Sequence, residues 1–346
     1  MRVSISVGSA YYDGEHWDQV VEYVKAADRI GVDSVWSAEA WGMDAVASIG
    51  YLAAVTDTVR LGTGIMQVSA RTPAMTAMTA MSLAQMSGDR FLLGLGLSGP
   101  QVVEGLHGDA FVHPLSRLRE YIDIVRMAMN GERIVYEGDR YVLPRPGGEG
   151  KALKMAIPPK PELPIYIASL GPKSLELTGA VADGWLGTSF IPEYADIMLG
   201  PIAKGAKSVG RSLDDIDIQV SAGIRVSDDV DKLIAQARPA MAFTLGGMGS
   251  ATTNFYNSAY SRAGFGDIAA EVQRLWVEGD KAAATAAVPD ELLLLAYPIG
   301  TRDMVLERLR AYKAVGVDCL RLGAVGRNAE EQITHLEMLL DLIADI

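Results

Sequence analysis

The chain has 346 residues, of which 49% are hydrophobic, and this is enough to bury a large core within one domain. Its formal net charge of −12 argues against a protein that binds nucleic acid or an anionic membrane, because both need a basic surface. The single cysteine, Cys319, excludes an intramolecular disulfide and a thiolate metal cluster. The first residues lack the apolar stretch of a secretion signal and no run of ~18 apolar residues follows, so we expect a cytoplasmic protein that does not span a membrane.

Short apolar runs alternate with longer helical patterns along the chain, which is typical of βα units around a parallel sheet. In chain order, strands are predicted at residues 2–7, 34–37, 60–64, 91–95, 165–168, 184–187, 216–226 and 319–322. Helices are predicted between them, and the first, over residues 17–30, has apolar residues at helical spacing and ends before Gly31. Eight such strands predict an α/β fold, a single-domain (β/α)8 TIM barrel over residues 1–346.

Two stretches interrupt the alternation of strand and helix. Residues 131–160, after the fourth strand, contain a hairpin pattern at 134–142 and a return segment rich in proline and glycine. Residues 244–266, after the seventh strand, are rich in Gly, Asn, Ser and Tyr. Long connections in a compact domain usually have a function, so we interpret the second stretch as a mobile cover over the barrel mouth.

The residues that follow the strands are mostly small, and in TIM barrels these positions form the active site. After the first, second and third strands they include Gly8, Ser9, Ala10, Tyr11, Glu39, Ala40, Gly64 and Ile65. Small residues allow a flat ring system to lie close to the backbone. The four histidines are scattered along the chain, so we expect no metal site.

The residues after the fifth strand have the features of an anion-binding helix start. Ser169, Leu170 and Gly171 lead into Pro172 and Lys173, and proline is favoured in the first turn of a helix. The unpaired backbone N–H groups of such a turn attract a phosphate, and Lys173 could add a positive charge. An ordinary helix start remains the alternative.

Residues 94–99 match the G-x-G-x-x-G pattern of dinucleotide-binding proteins. That pattern requires a helix directly after it and an acidic residue about 20 positions further on. Pro100 and a loop-like stretch follow instead, so the context does not favour a Rossmann site.

Five segments, in this order along the chain, resemble those of luciferase-like flavin and deazaflavin oxidoreductases. They are AADRIGVDSVW at 26–36, VRLGTGI at 59–65, SGDRFLLGLG at 87–96, IYIASLGPK at 165–173 and ADGW at 182–185. The segment SGPQVVEG at 98–105 and the pair Glu39-Ala40 are similar to the branch that uses coenzyme F420, which includes methylenetetrahydromethanopterin reductase-like proteins. The resemblance covers nearly the whole chain.

The resemblance implies that coenzyme F420, a deazaflavin, binds at the barrel mouth, with FMN as the alternative cofactor. Its ring would lie against Gly64–Ile65, where relatives have a non-proline cis peptide, and its phosphate would lie on residues 169–173. The polar contacts to the ring and ribityl chain would come from Thr63, Gln67, Ser98, Gly99 and Gln101. Relatives often dimerise through helices two and three, which here carry a Met/Ala surface, so we expect a homodimer.

Glu39 is the candidate catalytic residue. The best-known deazaflavin dehydrogenases carry Asp-His after strand two, whereas this chain has Glu39-Ala40, so a histidine mechanism does not transfer. The carboxylate of Glu39 ends an apolar strand, where burial is costly unless the group is paired or has a shifted pKa. We therefore expect Glu39 to contact the ring or to act as an acid or base.

The functional hypothesis is hydride transfer between C5 of F420 and an unidentified small organic substrate. Two alternatives remain open at this point. One is an FMN-dependent monooxygenase on the same fold, and the other is a non-catalytic flavin-binding protein.

Overall fold

A parallel barrel organises the chain in the computed structural model, which describes residues 1–7, 16–250 and 252–346. The strands are β1 (Arg2–Val7), β2 (Ser34–Ser37), β3 (Arg60–Thr63), β4 (Met66–Gln67), β5 (Phe91–Gly96), β6 (Tyr136–Glu137), β7 (Val142–Leu143), β8 (Ile165–Ala168), β9 (Gly184–Gly187), β10 (Asp217–Ala222), β11 (Arg225–Val226), β12 (Ile299–Gly300) and β13 (Cys319–Gly323). Around the barrel the order is β1, β2, β3, β5, β8, β9, β10 and β13, with parallel neighbours throughout. The pairings of β1 with β13 and of β3 with β5 close the ring, so the predicted (β/α)8 barrel is confirmed.

The observed barrel strands lie within a few residues of the predicted ones, with one exception. The seventh strand, predicted over residues 216–226, is divided: β10 ends at Ala222, and β11 leaves the barrel to pair with β12. The sequence pattern does not predict β4 and β12, because two residues are too few to show an alternation of apolar and polar side chains. β4 pairs with β5 and lies directly after the break in the third strand.

Helices surround the barrel. They are α1 (Trp17–Arg29), α2 (Ala45–Ala53), α3 (Pro73–Met86), α4 (Pro100–Gly105), α5 (Pro114–Met129), α6 (Pro172–Val181), α7 (Asp196–Ser208), α8 (Val230–Gly246), α9 (Phe255–Tyr260), α10 (Gly266–Val277), α11 (Lys281–Ala286), α12 (Asp290–Ala296), α13 (Arg302–Ala314) and α14 (Ala329–Ala344). Two that border the mouth have clear start signals: Asp44 caps α2, and Thr72 caps α3 with Pro73 in the first turn. In the described part of the chain, no helix is long and apolar enough to cross a membrane.

Two aromatic rings fill the barrel interior. The rings of Trp36 and Tyr166 meet edge to face, with their centroids 5.1 Å apart. Glycines on neighbouring strands make room for them: a Cβ on Gly62 would lie 2.4 Å from the Trp36 ring, and a Cβ on Gly184 would lie 2.1 Å from the Tyr166 ring. The indole N–H of Trp36 donates to Gln219 at 3.1 Å. The rings therefore close the barrel beneath the carboxyl ends of its strands.

The first insertion contains the hairpin expected at residues 134–142. β6 and β7 pair in antiparallel fashion. Glu120 of α5 holds the turn between them, because its carboxylate accepts hydrogen bonds from the backbone N–H groups of Asp139, Arg140 and Tyr141, each at 2.9 Å. The hairpin is thus fixed to a helix of the barrel.

The second insertion is a helical unit, formed by α8 to α12 between β11 and β12. The buried faces of its helices form a core of their own, which includes Met241, Leu245, Val272 and Leu293. Residues 244–266, interpreted from sequence as a loop-like cover, lie inside this unit and make up only part of it. The helices extend from Val230 to Ala296.

Candidate active site

The break after β3 forms one wall of the barrel mouth. The Gly64–Ile65 peptide bond is cis, as the resemblance implied. Gly64 packs on Trp36, because a Cβ at Gly64 would lie 3.2 Å from the Cβ of Trp36. The Ile65 side chain lies over Gly96, where an added Cβ would approach it to 2.7 Å. Ile65 stays partly exposed, so its apolar side chain is a suitable support for a flat ring.

Thr63 and Gln67, two of the predicted ligand contacts, make hydrogen bonds within the protein. Thr63 is fully buried, and its hydroxyl donates to the carbonyl of Gly94 at 2.9 Å and accepts from the N–H of Gly94 at 3.0 Å. Gln67 is 2% exposed, and its amide donates to the carbonyl of Ala40 at 3.1 Å. The Oε1 of Gln67 is buried without a hydrogen-bond partner among the described residues. Both side chains hold the chain on either side of the break, and their contacts to a ligand stay predictions.

Glu39 is held in an ion pair with Arg71, a residue that the sequence motifs did not identify. Each Glu39 carboxylate oxygen lies 2.7 Å from a guanidinium nitrogen of Arg71, and one oxygen also accepts from the N–H of Gln67 at 3.2 Å. The Glu39 side chain is 8% exposed. A proton transfer through Glu39 would therefore have to break a nearly buried pair, and the geometry favours a positioning role over acid or base catalysis.

Arg71 also joins the loop after β4 to the start of α2, because it donates to Asp44 at 2.8 Å. Desolvation by itself would raise the pKa of Asp44, but the N–H groups of Ala47 and Val46 and the charge of Arg71 hold that pKa below its ordinary value. Desolvation opposes the charge of Arg71 in the same way, yet its pKa is raised because of the bonds to Glu39 and Asp44. Asp44 and Arg71 thus stay charged, and the network fixes two mouth loops relative to each other.

The loop after β5 turns sharply at the residues predicted for it. Ser98 has a left-handed backbone, with φ 60°, and Gly99 begins α4 with open space where a Cβ would be. Gln101 donates its amide to the carbonyl of Gly249 at 2.9 Å, so it connects this loop to the helical unit. The ligand contacts expected from Ser98, Gly99 and Gln101 stay predictions.

The N-terminus of α6 is open to an anion. It begins after Gly171, and no side chain in the described ranges caps it, so its first backbone N–H groups are available. A Cβ on Gly171 would lie 3.5 Å from the hydroxyl of Ser174 and meet nothing closer. The Ser169 hydroxyl lies 2.8 Å from that of Thr178, which directs it into the protein.

The side chain of Lys173 faces a surface cleft rather than the loop that begins α6. Pro172 and Lys173 are both exposed, and Lys173 lines a cleft on the outer surface together with Arg119 and Glu176. The backbone of residues 169–173 is therefore better placed for a phosphate than the Lys173 ammonium group.

Arg262, from the helical unit, reaches the same loop and was not predicted. Its guanidinium donates to the carbonyl of Leu170 at 2.6 Å, and its Nε is buried with no hydrogen-bond partner among the described residues. Desolvation lowers the pKa of Arg262. An anion at the start of α6 would supply the missing partner for this group.

The mouth therefore combines an apolar support at Ile65, open space at Gly99 and the uncapped N-terminus of α6 beside Arg262. Gly8, Ser9, Ala10 and Tyr11, expected to follow the first strand at the mouth, lie outside the described residues. Within the described ranges, no cluster of three or more His, Cys, Asp or Glu residues could hold a metal ion. This arrangement suits an elongated ligand with a flat ring at one end and a phosphate further along.

Residues 1–319 match the model of the family described as luciferase-like monooxygenase. The chain belongs to this family. The resemblance expected from the five sequence segments is confirmed.

Within the luciferase-like family, two relatives by sequence match nearly the whole chain. A protein of Mycobacterium tuberculosis, whose name is that of a coenzyme F420-dependent oxidoreductase, is 37% identical over 98% of this chain and 99% of its own. The 5,10-methylenetetrahydromethanopterin reductase of Methanolobus tindarius is 30% identical over 91% of this chain and 93% of its own. Both names describe oxidoreductases, and the luciferase-like chain described here is an oxidoreductase.

Solved luciferase-like structures share the fold. The F420-dependent tetrahydromethanopterin reductase of Methanopyrus kandleri superimposes with a TM-score of 0.77, covering 96% of each chain at 22% identity. An F420-dependent secondary alcohol dehydrogenase, solved with an F420-acetone adduct, gives a TM-score of 0.75 at 18% identity and covers 99% of each chain. At these identities the likeness concerns the fold alone.

Proposed function

We propose that this oxidoreductase binds coenzyme F420 in the barrel mouth and transfers a hydride between C5 of the bound deazaflavin and a small organic substrate. The uncapped N-terminus of α6 beside Arg262 carries the proposal, because together they offer backbone N–H groups and a guanidinium to the cofactor phosphate. The name of the Mycobacterium tuberculosis relative supports F420 over FMN as the cofactor.

The residues of the mouth fit a bound deazaflavin in three places. Ile65 would support one face of the ring, and the open space at Gly99 would let the cofactor approach the backbone of the loop after β5. Residues 169–173 would hold the phosphate through their backbone N–H groups. These contacts orient the cofactor, which is the main task of the protein when a cofactor supplies the redox chemistry.

When bound, coenzyme F420 supplies a carbon, C5, that accepts or donates a hydride as a two-electron step. The chain's own residues hold the geometry in which that step occurs. Glu39 and Arg71 fix the loops after β2 and β4, and the Thr63 hydroxyl fixes β3 to β5. We assign Glu39 a positioning role because its carboxylate is engaged by Arg71 on both oxygens.

The test is the variant Gly171→Asp. An aspartate at this position would accept hydrogen bonds from the first-turn N–H groups itself and would repel a phosphate, while stabilising the helix as a favourable N-cap residue. We expect the affinity for F420 to fall about tenfold or more and the melting temperature to stay unchanged or rise slightly. The measurement is fluorescence quenching during titration with F420, with a separate titration with FMN.

Two further variants sharpen this experiment. Gly150→Asp introduces the same charge at an exposed glycine with open space around it, and it should leave F420 affinity unchanged. Arg262→Met removes the guanidinium expected to contact the phosphate from the helical unit, and it should also weaken F420 binding. Equal losses in Gly171→Asp and Gly150→Asp would contradict the phosphate site. Binding of FMN alone would favour the monooxygenase alternative, and binding of neither cofactor would overturn the proposal.

A further inference from the structure

Arg321 brings a guanidinium into the barrel mouth. It lies on β13 in register with Ser221 of β10, and alternate side chains of a strand share one face. Gln219, two residues before Ser221, points into the barrel because it accepts the indole N–H of Trp36. Ser221 and Arg321 therefore also point inward, one layer closer to the mouth, and Ser221 is exposed there although its neighbours along β10 are buried.

Arg321 has no acidic partner among the residues that the structure describes. Its Nη2 donates to the carbonyl of Gly187 at 3.2 Å, and its Nη1 is buried without a hydrogen-bond partner. Desolvation lowers the pKa of Arg321 to about 10, which still leaves the side chain charged at neutral pH. Arg71, at the same mouth, is instead paired with Glu39 and Asp44. A desolvated charge without a partner destabilises a fold. Such a residue is retained where it has a use other than stability.

Arg321 lies across the barrel from the break at Gly64–Ile65, and its guanidinium reaches the carboxyl end of β9. In the closed order of strands, β13 lies opposite β5, and the break at Gly64–Ile65 is on the same far side as β5. The phosphate site at α6 follows β8. A ring supported by Ile65 therefore leaves Arg321 facing the space on the other side of the mouth, where a substrate would lie.

We propose that Arg321 binds an oxyanion of the substrate, either a carboxylate or a phosphate, so that the enzyme acts on acidic organic compounds. The inference rests on the proposed function, because it takes the rest of the mouth to be the cofactor site. A desolvated guanidinium with one nitrogen lacking a hydrogen-bond partner is well suited to such a group, since it presents donors in a fixed plane. The bound anion would pair the charge that the protein leaves unpaired.

The experiment measures binding of simple anions by calorimetry to the F420-loaded protein. Benzoate and phenyl phosphate are the carboxylate and phosphate probes, and benzamide is the neutral analogue of benzoate. We expect the wild type to bind at least one anion and to bind benzamide at least about tenfold more weakly. Tighter binding of benzoate would identify a carboxylate as the preferred group, and tighter binding of phenyl phosphate would identify a phosphate. In Arg321→Met the preference for the anion should disappear, and Arg321→Lys should retain part of it.

Two controls separate ligand binding from a structural role. Without ligand, Arg321→Met should melt at the same or a higher temperature than the wild type, whereas loss of a structural arginine would lower it. Arg225→Met removes a desolvated arginine on β11, outside the barrel, and should not change anion binding. The proposal is overturned if no anion binds, if benzamide binds as well as benzoate, or if Arg321→Met binds the anion normally.

Failure of the cofactor proposal would be visible separately. If the wild type does not bind F420, the same titrations on the cofactor-free protein still report whether Arg321 binds an anion. If Arg321→Met loses F420 affinity and keeps anion binding, Arg321 belongs to the cofactor site, and this inference is wrong. If Arg321→Met does not fold, Arg321→Lys and the comparison of benzoate with benzamide on the wild type decide the question.

Discussion

Glu39 and Arg71 lie on different loops, and their ion pair could not be predicted from either loop alone. The position of Glu39 at the end of a strand indicates a site residue. Its cation comes 32 residues later, in a turn without a distinctive pattern. Likewise, Arg262 bonds to Leu170 across 92 residues of sequence. The sequence therefore predicts where polar side chains lie along the strands, but not which of them bond to other residues of the protein. Those bonds determine whether a side chain has a positioning role or is available to a ligand.

Glu39→Gln tests the positioning role. The variant leaves Arg71 with only Asp44 as an acidic partner, so the free energy of unfolding should fall by about 1–3 kcal/mol in urea denaturation. Adding Arg71→Met to this variant should restore part of the loss, because the uncompensated charge is removed as well. Unchanged stability together with a lost limb of the pH–rate profile would instead assign Glu39 an acid or base role.

At the scale of elements, apolar strands were predicted well and the second insertion was not. A buried parallel strand appears in sequence as a short apolar run, and the eight runs identified the barrel. In residues 244–266 the asparagines suggested a loop, yet Asn254 caps α9 and Asn257 is buried among three helices. Polar residues that bond to helix ends have the same composition as a loop, so composition alone cannot separate the two.

Asn257→Ala should weaken the helical unit selectively. Its amide donates to the carbonyls of Leu245 at 3.0 Å and Ala269 at 2.7 Å, and it thereby joins α8 to α10. Losing both bonds in a buried site should reduce the free energy of unfolding by about 1–3 kcal/mol, measured by urea denaturation. Asn130→Ala, at the exposed end of α5, is the matched control and should have a much smaller effect. Equal effects would mean that Asn257 does not hold the unit together.

At the scale of the whole molecule, the sequence also predicts a homodimer, and this stays a prediction. Of the four methionines of α3, Met81 is fully buried in the core, whereas the other three are exposed. Those three, with Tyr51 of the adjacent α2, leave an apolar surface whose members are between 48% and 68% exposed: Tyr51, Met75, Met78 and Met86. A surface of this kind is typical of a subunit interface.

Met78→Glu should dissociate such a dimer, because it would bury a carboxylate at the centre of an apolar interface. Sedimentation velocity should then give the mass of a monomer for the variant and of a dimer for the wild type. Met338→Glu, which changes an exposed methionine on α14, is the control and should stay dimeric. A wild type that sediments as a monomer would disprove the interface.

The aromatic rings that fill the barrel bear on the timing of catalysis. Because Trp36 and Tyr166 close the interior from below, cofactor and substrate have to share the carboxyl end of the barrel as their route in and out. A ring seated on Ile65 lies deeper than a molecule resting above it. The architecture would then impose an order on the proposed reaction: F420 would bind before the substrate and leave after the product, in its changed redox state, once in every turnover.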